Sequence, residues 1–190
     1  MLKAAPKTVH IYLESNPNPN SLKFVVNEML VPEGMSFDFA NPEATAEAPL
    51  AQELFMYPFV DRVFYASNFV TVTKKPDVEW LEVQYIIRDH IKQFLEGGKL
   101  ILDKQGPTTE AAEETEEVKK IKTILDEYIR PAVEQDGGAI SFHSFSEGLL
   151  KVVLQGSCSG CPSSTVTLKA GIENLFRNMM PEVKTVEAIG

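Results

Sequence analysis

Gly156-Ser157-Cys158-Ser159-Gly160-Cys161-Pro162-Ser163-Ser164 joins two segments of opposite periodicity. Before it, Leu149–Gln155 is rich in Leu and Val and reads as a strand. After it, Leu168, Ile172, Leu175, Phe176 and Met179 recur at helical spacing. The quoted residues are therefore a strand-to-helix loop. Proline is favoured at the first helical position, where its missing N–H costs nothing. That places Pro162 at the helix start and Cys161 at its N-cap. Gly160 can take the positive φ of a tight loop, and two intervening residues let both sulfurs face one point.

Working outward, Ala139–Phe145 reads as a second strand, turned at Ser146-Glu147-Gly148. Val118, Ile121, Leu125, Tyr128 and Ile129 form one apolar helical face. Pro131 is expected to kink that helix and Gly137-Gly138 to end it. Beyond the second helix, Pro181 is a stop and Val183–Ile189 a last strand. The order is helix, strand, strand, helix, strand.

Upstream the composition changes. Between Gly106 and Glu117 five glutamates stand with no lysine or arginine. Such a segment buries too little surface to order itself and reads as a solvated tether running into an acidic helix start. The chain before it repeats the mixture of periods. Val9, Ile11 and Leu13 alternate with polar neighbours, Asn16-Pro17-Asn18-Pro19-Asn20 stops the strand, and Leu22–Val26 resumes it. Pro49 begins a short helix through Phe55. Arg62–Ala66 and Phe69–Thr73 form a hairpin about Ser67-Asn68. Trp80, Val83, Ile86, Ile87, Ile91, Phe94 and Leu95 mark a helix ended by Gly97-Gly98. The expected fold class is α+β: two small α+β domains, residues 8–98 and 117–190, joined by an acidic flexible linker at 99–116.

Charge and targeting narrow the function. A net charge of −9 with no basic stripe argues against nucleic acid and against anionic lipid as partners. No apolar run approaches the ~20 residues that span a bilayer. Met1–Lys7 has no secretory signal pattern and is too poor in Arg and Ser for a transit peptide. The expected location is cytoplasmic, although a processed organellar form has the same features.

The chain has two cysteines, Cys158 and Cys161. A disulfide framework would use more of them, spread along the chain. A close pair points to metal binding or thiol redox chemistry. A helix N-terminus favours thiolate over thiol, and cysteines placed there can have pKa values of about 3.5–7.5. The unpaired N–H groups of the first turn suit the sulfur of an anionic centre. Zinc sites and iron–sulfur clusters usually need four protein ligands, and one chain offers two thiolates. His10, His90 and His143 have no metal-like spacing to the cysteines. A closed two-fold would complete the set, with a shared centre near the surface. On spacing alone, C-x-x-C also fits a thioredoxin-like thiol–disulfide oxidoreductase or a zinc-binding interaction module.

Ile129-Arg130-Pro131, Asp136-Gly137-Gly138, the cysteine loop quoted above, Thr167-Leu168-Lys169-Ala170-Gly171-Ile172-Glu173 and Pro181-Glu182-Val183 closely resemble the NifU C-terminal-like domain, in order and in spacing. Asn16-Pro17-Asn18-Pro19-Asn20-Ser21-Leu22-Lys23-Phe24, Pro49-Leu50-Ala51, Leu54-Phe55 and Phe69-Val70-Thr71-Val72-Thr73-Lys74 resemble the N-terminal domain of Nfu-type scaffold proteins. The resemblance implies a non-enzymatic iron–sulfur scaffold or carrier. It implies Cys158 and Cys161 as metal ligands and a cluster, usually 4Fe–4S, shared between the two chains of a homodimer. It also implies upstream cluster donors and apo-protein clients. The family commonly has an acidic residue after the double glycine, where Ala139 stands; that position is not a ligand. Against the oxidoreductase, no tryptophan precedes Cys158, and Ser159-Gly160 is not the Gly-Pro pair of thioredoxins. The remaining marked residues have plainer readings. Gly137 and Gly138 stop a helix, Asp136 turns the chain, and the loop serines form and cap the loop. Close packing near the loop accounts for Gly171, and Trp80 and Phe94 are core.

Overall fold

The computed structural model describes residues 8–102, 115–158 and 162–189. Most of the acidic stretch read as a tether lies outside the described residues, as do Ser159, Gly160 and Cys161. The chain forms two compact α+β units.

In the first unit, β1 (Ile11–Ser15) and β2 (Ser21–Val26) pair antiparallel across the Asn-Pro run, with Leu13 opposite Phe24. β3 (Ser36–Phe39), β4 (Val60–Ala66) and β5 (Phe69–Lys74) complete a sheet of order β1-β2-β5-β4-β3. Period-two alternation decides the core. Leu22, Phe24, Val63, Tyr65, Val70 and Val72 meet Leu50 and Leu54 of α1 (Pro49–Phe55) and Ile87, Ile91 and Phe94 of α2 (Trp80–Glu96). The expected helices and hairpins are all present; β3 and a short 3-10 turn at Pro42–Thr45 were not foreseen. Asn41 starts that turn by accepting from the Ala44 N–H at 3.0 Å. Arg62 anchors the edge strand, its Nε and Nη2 donating to the two Asp38 carboxylate oxygens at 2.7 Å each.

A polar chain ties α1 to α2. Tyr57 Oη and Glu53 Oε2 each lie 2.9 Å from a ring nitrogen of His90, and Lys99 Nζ donates to Glu53 Oε1 at 2.8 Å. The Lys99 hydrogen bond holds the Glu53 carboxyl below its ordinary value; partial burial opposes this and His90 assists. A depressed carboxyl stabilises the fold above its unfolded value, near 4.5, and that contribution is lost as pH falls through the folded value. Glu53→Gln is therefore expected to lower stability at pH 7 by a few tenths of a kcal/mol, as suits a partly exposed pair. The difference should vanish toward pH 3 in urea melts.

In the second unit, the Thr115 hydroxyl caps α3 (Glu116–Ile124) by accepting from the Val118 N–H at 3.3 Å. The helix runs through a π turn, Leu125–Ile129, into α4 (Arg130–Gln135). Pro131 explains the turn. In a regular helix its ring would meet the Glu127 carbonyl four residues back, and widening one turn moves that carbonyl aside. The Arg130 N–H instead reaches the Leu125 carbonyl. The wider turn also shifts the helical phase. Ile124 and Ile129 are buried, whereas Tyr128, expected on the apolar face, is 52% exposed.

Gly137, at φ 77°, ends α4, and β6 (Gly138–Ser146) turns into antiparallel β7 (Leu149–Gly156). Glu147 and Gly148 both have positive φ, as a tight hairpin turn requires. α5 (Pro162–Met179) then crosses to β8 (Thr185–Ile189), which pairs parallel with β7 in the order β6-β7-β8. The predicted order of elements thus stands. Ile121, Leu125, Leu150, Val152, Leu154, Ile172, Phe176 and Val186 form the core. No helix among the described residues is long and apolar enough to cross a membrane.

Gly171 departs from its expected packing role. A Cβ built there meets nothing within 4 Å among the described residues. Gly171→Ala should therefore stabilise the protein by about 0.5–1 kcal/mol through helix propensity and unfolded-chain entropy. The gain should appear as a higher urea midpoint with an unchanged slope.

Candidate metal centre

The cysteine loop leaves β7 at Gly156 and enters α5 at Pro162. Gly156, with φ 67°, makes the exit that any larger residue would strain. Two bonds hold the next residue to the turn that ends α4. The Ser157 hydroxyl donates to the Asp136 carbonyl, and the Ser157 N–H donates to the Gly137 carbonyl at 3.3 Å. Asp136 is thus a turn residue, as read, and its main chain is what the loop uses.

Cys158 follows directly. It is only 4% exposed and packs in the same cluster as Leu154, Ile172 and Phe176, deeper than a centre near the surface would place it. Gly138 explains how the sulfur fits. A Cβ on Gly138 would stand 2.9 Å from Cys158 Sγ and 2.6 Å from the Gln155 carbonyl oxygen, closer than real side chains come. The thiol occupies the space a side chain would fill. The earlier reading of Gly137-Gly138 as a helix stop holds for Gly137 and is incomplete for Gly138. The Asp-Gly-Gly run was a visible signal. Its meaning is tertiary, because the partner is 20 positions away in sequence.

The start of α5, at the far end of the loop, suits a soft, thiolate-bound cargo. The helix beginning at Pro162 leaves its first N–H groups without intrahelical acceptors and turns its positive end toward the loop. Cys161, the second expected ligand, lies outside the described residues. No group of three or more His, Cys, Asp or Glu residues capable of holding a metal occurs among the described residues. Two of the three histidines are engaged elsewhere: His90 with Tyr57 and Glu53, and His143 with the Ser144 hydroxyl at 3.1 Å. Ser157 was read as a loop former; its hydroxyl lies 4.0 Å from Cys158 Sγ.

Comparison with known proteins gives a consistent result. The family model described as "Scaffold protein Nfu/NifU N terminal" matches residues 11–98, and "NifU-like domain" matches residues 121–187. The chain is 39% identical over 182 residues to the human protein named "NFU1 iron-sulfur cluster scaffold homolog, mitochondrial", covering 94% of this chain and 71% of that one. A protein of the same name from Drosophila willistoni is 39% identical over 192 residues, covering 100% of this chain and 66% of the relative. "NifU-like protein 4, mitochondrial" of Arabidopsis thaliana is 42% identical over 188 residues, covering 95% and 66%. The chain thus spans about two thirds of the length of these relatives. All three names include "mitochondrial", which overturns the cytoplasmic expectation. That expectation rested on the lack of a membrane-spanning run and on the composition of seven N-terminal residues, neither of which decides the compartment.

Proposed function

We propose that this chain, which belongs to the Nfu/NifU scaffold protein family, binds an iron–sulfur cluster as cargo between two copies and passes it to apo-proteins. Cys158 and Cys161 of each copy would supply the thiolates, and a cluster of the 4Fe–4S type would take all four. The first-turn N–H groups of α5 would donate to cluster sulfur. In this reading residues 117–190 hold the cargo, the acidic linker at 99–116 tethers them, and residues 8–98 serve partner docking or dimer support. The role is binding and exchange, with no bond of an organic substrate made or broken. Transfer is ligand substitution: an incoming cysteine thiolate forms an Fe–S bond as a scaffold thiolate leaves. Because each chain supplies only half the ligands, opening the pair exposes the cargo.

The observation that supports this reading most is the Cys158 seat: a buried thiol in the β7–α5 loop, beside a glycine whose side chain would collide with it. The test is transfer. Protein reconstituted anaerobically should restore activity to an apo 4Fe–4S enzyme in the presence of an iron chelator, which free iron and sulfide do not do. Equal recovery from free iron and sulfide under the same chelator would contradict the carrier role.

A further inference from the structure

We infer that the Ser157 hydroxyl is a latch that holds Cys158 turned into the domain core, and that the cysteine must be released from it to become a ligand. Cys158 is 4% exposed, and Ser157 is 2% exposed. A sulfur at that depth cannot also ligate a centre shared with a second chain, so the loop has to move. What resists the movement is visible. Ser157 is joined to the α4–β6 turn by its hydroxyl, through the Asp136 carbonyl, and by its N–H, through the Gly137 carbonyl at 3.3 Å. The N–H bond is slightly longer than the usual range of about 2.7–3.2 Å, and the hydroxyl is the tie that a side-chain substitution removes. Gly138 adds no obstruction, since the sulfur lies only 2.9 Å from where a Cβ would stand.

The latch gives Ser157 a positioning role. Closed, it keeps the thiol inside an apolar cluster, away from oxidants and stray metal. Open, it lets the sulfur swing toward the helix N-terminus and a second copy. The inference rests on the reading of Cys158 as a ligand only for its purpose; the shielding itself needs no cargo.

The test uses the full chain with Cys161→Ser, so that Cys158 is the single thiol. Iodoacetamide labelling under native conditions is compared among this parent, Ser157→Ala and Ser157→Thr, each rate divided by that of the same variant unfolded in urea. The parent should label at least about tenfold more slowly than its unfolded form, given its burial. Losing one hydrogen bond from the closed state should raise the Ser157→Ala rate about three- to tenfold, and threonine should restore protection. In the parent, labelling should stay flat in low urea, since a local release exposes little surface. Equal rates for Ser157→Ala and the parent would overturn the latch. So would a parent rate that rises with urea in step with global unfolding, a result that does not depend on the alanine variant folding. Iron uptake is measured separately on chains retaining both cysteines. No iron there defeats the proposed function and leaves the labelling result standing; iron uptake with unchanged labelling defeats the latch alone.

Discussion

Cys158→Ser is expected to remove iron from the reconstituted protein while leaving it folded. The unsubstituted chain is expected to take up about four iron per two copies, and the variant to fall to background, because serine replaces a soft thiolate with a hard hydroxyl that does not deprotonate at neutral pH. Cys161→Ser should behave in the same way. The fold survives because the second unit's core is built from Ile121, Leu125, Leu150, Val152, Ile172 and Phe176 as well. The hydroxyl enters the apolar place of the thiol, at a cost of about 1–3 kcal/mol. Iron content by colorimetry and far-UV circular dichroism decide the matter together. A folded Cys158→Ser protein that keeps its iron removes the cysteine from the site.

Gly138→Ala should produce the second large effect. One methyl group meets the Gln155 carbonyl oxygen at 2.6 Å and Cys158 Sγ at 2.9 Å. The carbonyl belongs to β7, whose register against β6 is fixed by the adjacent Gly138–Gly156 pair, so it cannot yield cheaply. The expected cost is about 1–3 kcal/mol of stability, with faster alkylation of Cys158 because the sulfur is displaced from its buried seat. The same substitution at Gly171 should gain stability, since a Cβ there meets nothing within 4 Å among the described residues. The two variants have the same chemistry and opposite signs, and melts run side by side check both. A Gly138→Ala protein with unchanged midpoint and unchanged Cys158 labelling would show that the close approach does not constrain the site.

Much of this was legible in the sequence because local rules sufficed. Pro162 marked the start of α5, Gly148 the β6–β7 turn, and Gly97-Gly98 the end of α2, each through dihedral preferences that tertiary context did not override. β3 was missed because its four residues are too short to show a period, and it is an edge strand fixed by the Asp38–Arg62 pair from another strand. Tyr128 was misplaced because the 3.6-residue period was carried through a helix that Pro131 forces to widen. Gly138 and Ser157 carried weak local signals, a helix stop and a loop former. Their roles come from β6 lying against the end of β7, which no local pattern encodes. Compartment was misread for a different reason: an organellar address is read by receptors and leaves no mark on a packed core.

The most direct test concerns a shortage in the proposed arrangement, where one copy would bring two sulfur ligands to a cargo that needs four. Native mass spectrometry of anaerobically reconstituted protein, paired with its Mössbauer spectrum, reads chains, iron and sulfide at once. Two chains carrying one cluster of about four iron and four sulfides, with little loaded monomer, is the expected result. A single chain retaining a complete cluster would contradict the shared site.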